Sequence, residues 1–205
     1  ATLAEGNGRA DLVLFREGGG PEGEIRLDAS FTNETGQLAI DLGAREGPGG
    51  LVVSALNIPD APAAELELVG AGPLEDFGAR LRLATDGEER LAGTITLAAA
   101  DPGAYRLRAD VAGNLAPLLL PQYVDFFGDR VTLVLDATRS AFGGLQVDAF
   151  DLKARSLALQ GQARLASDGL VEMLDVTGTL ASPEGGKVLL PLGELPTRLD
   201  RATFR

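Results

Sequence analysis

The chain has 205 residues, a formal net charge of −12, and no Cys, His or Trp. Without His or Cys there is no Ser-His-Asp triad, no thiolate chemistry and none of the usual zinc ligands. The sign of the charge opposes binding to nucleic acid or to an anionic membrane surface.

The opening ATLAEGNGRADLVLF has no initiator Met, no basic segment and no leader-like apolar segment, so it reads as an interior piece of a longer protein. Within it DLVLF (residues 11–15) is a first, weaker strand candidate. EIRLDASFT (24–32) then changes character at every residue. Ile25, Leu27, Ala29 and Phe31 fall on one side of an extended chain, and Glu24, Arg26, Asp28, Ser30 and Thr32 on the other. The same period returns in LAIDL (38–42), ELELV (65–69), ARLRL (79–83), GTITLAA (93–99), YRLRADV (105–111), VTLVLDA (131–137), LALQGQARL (157–165) and LDVTGTL (174–180). LVVSAL (51–56), LQVDAFDLK (145–153) and KVLLPL (187–192) are weaker candidates. Turn-forming clusters separate them: EGGGPEG, NETG, EGPGG, TDGEE, ADPG, SDG and SPEGG.

One stretch breaks the rhythm. NLAPLLLPQYVDFF carries two prolines among clustered apolar residues, which predicts a non-strand insert near residues 114–127. Its Leu118, Leu119, Leu120, Tyr123, Phe126 and Phe127 have two readings: they plug or line a groove, or they cap one end of a core. No stretch is long and apolar enough to cross a membrane as a helix.

Strands recur roughly every 13–14 residues, which predicts an up-and-down order of about fourteen strands within a single β-repeat segment covering residues 1–205. At ~4.8 Å per strand such a sheet is on the order of 65 Å wide, too wide to stay flat. The expected fold is all-β: an elongated, curled, mainly antiparallel sheet with an apolar concave face. Small residues on that face, among them Ala29, Ala79, Gly93, Ala99, Ala109, Gly161, Ala163 and Gly178, permit strong bending.

The apolar stripe comprises Ile25, Leu27, Phe31, Leu38, Ile40, Leu66, Leu68, Leu81, Leu83, Ile95, Leu97, Leu107, Val111, Leu133, Leu135, Leu157, Leu159, Leu174 and Val176. By pattern alone it is the core of a sandwich or barrel, because amphipathic strands normally bury against their own chain. The acidic groups Glu17/Glu22/Glu24, Glu75/Asp76 and Asp86/Glu88/Glu89 lack the spacing of an EF-hand loop and sit in Gly/Pro turns. They read as solvated turns rather than calcium loops or a glycosidase pair. No catalytic residue, metal ligand or cofactor is assigned.

LALQGQARLASDGLVEMLDVTGTLASPEGGKVLLPLGELPTRLDRATFR (157–205) resembles the repeated segments of the TamB family, the long AsmA-like periplasmic proteins of Gram-negative bacteria. Pro191, Gly193, Leu195 and Pro196 carry the most distinctive part of the likeness. LAPLLLPQYVDFFGDRVTLVLDATRSAFGGLQVDAFDLKARSLALQG (115–161) is similar to the alphaproteobacterial members. The resemblance implies a bridge-like lipid transfer protein anchored in the inner membrane, with a hydrophobic lumen lined by the stripe above. It implies phospholipid acyl chains as ligand, and an outer-membrane barrel partner reached through other parts of the parent chain. Under it the stripe becomes a lipid groove instead of a core. The rival is a packed β-repeat binding or adhesion module with its function in the loops.

Overall fold

A computed structural model describes residues 7–16, 22–190 and 197–205. Most of the EGGGPEG turn, and Pro191, Gly193, Leu195 and Pro196, lie outside the described residues. The chain is all-β, with 63% of residues in strands and 8% helical. It divides into two compact units, Ala1–Ala99 and Ala100–Arg205.

The first unit is an antiparallel meander of β1 (Gly8–Arg16), β2 (Gly23–Thr32), β3 (Gln37–Glu46), β4 (Ala64–Pro73), β5 (Asp76–Thr85) and β6 (Glu88–Ala99). Each of these strands pairs with its chain neighbour, and the pairing does not close from β6 back to β1. The β5–β6 hairpin follows directly from sequence. Its two loop residues are Asp86 and Gly87, at φ 50° and 78°, the doubly left-handed turn that matches the twist of the flanking strands.

The expected strand LVVSAL is instead the helix α1 (Leu51–Ala55), in the connection between β3 and β4. A strand there would have needed an edge, but β3 is already paired on both sides by β2 and β4. The segment satisfies its backbone locally. Ser54 donates through both its N–H and its Oγ to the Gly50 carbonyl, at 3.2 and 2.7 Å. The Glu46 carboxylate accepts the Val52 N–H at 2.6 Å, a helix-end donor that would otherwise be orphaned.

The second unit pairs β7 (Tyr105–Gly113), β8 (Val131–Arg139), β9 (Leu145–Lys153), β10 (Leu157–Leu165), β11 (Val171–Ala181) and β14 (Arg201–Phe204) in that order, all antiparallel. A separate ribbon joins β12 (Val188–Leu190) to β13 (Thr197–Leu199). The strands described number fourteen, close to expectation, but with a different membership: LVVSAL leaves the set, and the short β13 and β14 enter it.

The insert holds a 3-10 turn (Ala116–Leu118) and the helix α2 (Pro121–Phe127). The Arg155 and Ser156 N–H groups donate to the Phe127 and Phe126 carbonyls, both at 3.0 Å, which ties α2 to the β9–β10 turn. Phe126 is buried and meets Phe127 edge-on, with ring centroids 5.0 Å apart. α2 thus sits against the β9–β10 turn and β12.

Two glycines allow close strand approach. A Cβ on Gly70 would stand 2.6 Å from both the Ala79 Cβ and the Gly78 carbonyl oxygen, and one on Gly161 would fall onto the Asp175 carbonyl oxygen. Gly161, which the sequence assigned to bending, is sterically obligatory, and Gly70, which that reading did not name, joins it.

Candidate functional site

Directly opposed residues in an antiparallel pair share a face, so the register assigns faces without further assumption. In the first unit one row runs Leu12, Leu27, Leu42, Leu68, Leu81, Gly93 across all six strands. The next runs Leu14, Ile25, Ala44, Leu66, Leu83, Leu91, and a third Ala10, Ala29, Ile40, Gly70, Ala79, Ile95. Phe31 opposes Leu38, and Phe77 opposes Leu97, on the same side. Every stripe residue predicted within this unit therefore lies on one continuous apolar face.

The second unit repeats the arrangement. Leu107, Ala137, Val147, Ala163 and Leu174 form one row, and Ala109, Leu135, Phe150, Gly161 and Val176 another. Val111, Leu133, Leu152, Leu159, Gly178 and Phe204 form the third, while Leu157 opposes Leu180. The Phe204 ring covers Gly178 and leaves no room for a Cβ there, as an aromatic ring does when it shields a strand glycine.

The face is only partly covered. Most of the stripe is half-buried; Leu83 is buried at 6% exposure, whereas Leu12, Leu14 and Leu174 remain 45%, 48% and 67% exposed. An ordinary sandwich core would hold such leucines below a few per cent. Among the described residues the largest fully buried side chains are Val53 and Thr85, and neither is one of these leucines.

Sequence reasoning missed several members of the face. Leu12 and Leu14 are hidden because DLVLF is apolar at consecutive positions, with Val13 and Phe15 exposed on the other side. Val147, Phe150 and Leu152 are hidden because β9 carries a bulge: Asp136 opposes Ala149 but Ala137 opposes Val147, so Asp148 is an extra residue that breaks the alternation. Asp148 accepts from Thr138 Oγ1 at 2.8 Å and Gln146 Nε2 at 2.6 Å. Arg90 marks a similar bulge in β6 and donates to Thr85 Oγ1 at 2.8 Å.

The opposite face is charged and largely self-neutralising. Arg9 pairs with Asp28, Arg45 and Arg82 with Glu65, Glu89 with Arg82, and Lys153 with Asp151. Two of the turn carboxylates are engaged as well: Asp86 accepts the Ala63 N–H and Glu88 pairs with Arg90. Glu17 lies outside the described residues. A depression of about 670 Å³ at the strand ends of the first unit is lined by Phe15, Glu24, Arg45, Glu46 and Glu65, with no nucleophile–base arrangement. Among the described residues no group of three or more acids is placed to hold a metal. No described helix is long and apolar enough to cross a membrane.

Among the described residues Asp136 is the carboxylate held by the most arginine contacts. Arg106 grips it bidentately at 2.6 and 2.5 Å and Arg108 adds a third contact at 3.1 Å. The hydrogen bonds from Arg106 first, against a smaller opposing desolvation, hold the Asp136 carboxyl below its ordinary pKa. A depressed carboxyl stabilises the fold above its unfolded value of about 3.9, and that stabilisation disappears as pH falls through the folded value. Asp136→Asn is accordingly expected to lower the urea midpoint at pH 7, with the gap from wild type closing as pH falls below the ordinary carboxyl range. A gap that is constant with pH would place the effect elsewhere.

Each unit is thus an antiparallel β sheet with one polar face and one apolar, incompletely covered face. Compared with family models, curated proteins and solved structures, the chain finds no match in any of the three.

Proposed function

We propose that the chain is a non-catalytic segment of a periplasmic conduit that carries phospholipid between the inner and outer membranes and supports outer-membrane protein assembly. In this reading it belongs to an inner-membrane-anchored parent chain, and other parts of that chain meet an outer-membrane barrel partner. The TamB-like residues motivate that setting. The observation that carries the lipid reading is the apolar face itself: each row crosses its unit from strand to strand, and the folded chain leaves it partly open.

Acyl chains are the occupant whose chemistry fits. Each methylene moved from water onto such a face contributes roughly 0.8 kcal/mol, so even part of one acyl chain offsets the cost of ordering it. The face offers no row of charges to fix a head group, which suits a path along which lipid slides rather than a pocket. Native mass spectrometry of gently purified protein is expected to show bound phospholipid. Protein that carries none, and takes up none from added phospholipid, would be a packed binding module instead.

A further inference from the structure

We propose that residues 50–60 form a strap, latched at one margin of the first unit's apolar face, that re-seats over bound apolar cargo with Leu51 and Leu56 as its contacts. The proposal rests on the lipid reading above. Glu46, Ala64 and Thr85 continue the register of the apolar face to the strand ends, and all three are buried, at 5%, 2% and 2% exposure. The α1 segment lies on the Glu46 side chain and against β3 and β4, while Arg90 caps Thr85. Val52 donates to Glu46 Oε2 at 2.6 Å, and a Cβ on Gly50 would stand 2.5 Å from the Glu46 Cβ, so the helix start is pressed onto a side chain that points up from this face. α1 packs against both β3 and β4.

Three features make this segment a strap rather than a fixed lid. Its base is pinched, since the Gly49 N–H donates to the Ala61 carbonyl at 2.7 Å and the residues between form a closed loop. Its backbone is strained near that base: Asn57, Asp60 and Ala61 sit at φ 52°, 58° and 41°, three of the four described non-glycine residues with positive φ. Such residues persist only where their surroundings hold them, and they concentrate at hinges and clamps. Its apolar groups are also divided. Val53 and Ile58 face inward and are buried, while Leu51 and Leu56 are 53% and 56% exposed. A ligand on the neighbouring leucine rows would give those two side chains an apolar surface that they lack in the latched position.

The chain has no Trp, so Leu56→Trp introduces a single indole reporter. With phosphatidylethanolamine added and its binding counted by native mass spectrometry, the indole emission is expected to shift to the blue in step with lipid occupancy. Lipid bound with unchanged emission overturns the strap and leaves the lipid reading standing; no lipid bound overturns both. The latch has its own readout in lipid-free protein. Glu46→Leu is expected to speed amide exchange at Val52 by about tenfold, the loss of one part-buried hydrogen bond, while Glu46→Gln, which keeps an acceptor, preserves slow exchange. Equal exchange in both variants, with native circular dichroism, would contradict the latch.

Discussion

Leu68→Asp and Leu135→Asp, each alone, are expected to abolish lipid transfer by the parent protein while circular dichroism stays native, and the double substitution to add little. Leu68 sits between Leu42 and Leu81 in the central row of the first unit; Leu135 sits between Ala109 and Phe150 in the second. Both are half-buried, so a carboxylate placed there can still reach water in the empty protein and the fold survives. With an acyl chain laid over the row that water is expelled, and the uncompensated charge costs several kcal/mol or draws water back in. A tenfold loss of bound lipid, equivalent to ~1.4 kcal/mol, is the least expected at either site. The non-additivity carries the argument: a path blocked once is already closed, whereas two independent pockets would lose their lipid separately.

Gly161→Val is expected to destabilise the second unit by about 1–3 kcal/mol, the usual cost of forcing extra atoms into a packed site. A Cβ there meets the Asp175 carbonyl oxygen, the Val176 Cα at 3.0 Å and the Phe150 ring at 3.1 Å. Two of those obstacles are backbone and cannot turn aside, so β10 and β11 have to separate. Gly43→Val serves as control, because a Cβ on Gly43 meets nothing within 4 Å. Thermal melts read the difference: a clear fall in Tm for Gly161→Val and a small change for Gly43→Val. Equal melting temperatures would mean that the close approach at Gly161 is not needed.

Much of this architecture is legible in the sequence because local and tertiary preferences agree. In EIRLDASFT and LAIDL the period of two matches the observed pairing of Ile25 to Phe31 with Ala44 to Leu38, and the Asp-Gly pair at 86–87 sets its own turn. The membership of the apolar face follows from the same alternation. It stops being legible where one residue is out of phase, as at Asp148, which hides Phe150 from a two-residue period. It stops again where a distant group decides the conformation. LVVSAL is apolar at every position but Ser54 and is compatible with strand or helix; the Glu46 carboxylate under Val52 and the absence of a free strand edge settle it. Coverage of the face is a tertiary property that periodicity does not encode, so the open face emerges only once the register and exposures are known.

The central claim, that lipid travels on this face and not merely on an apolar surface, is tested most directly at two adjacent residues. Leu68 lies on the apolar face and Val69 on the opposite one, at the same height along β4, and Val69 is the more exposed, at 43%. A photoreactive amino acid placed at either position in the parent protein meets the same solvent and membrane environment but opposite sides of the sheet. The account predicts phospholipid crosslinks at position 68 and none above background at position 69. Equal labelling at the two positions, or labelling confined to 69, would contradict it.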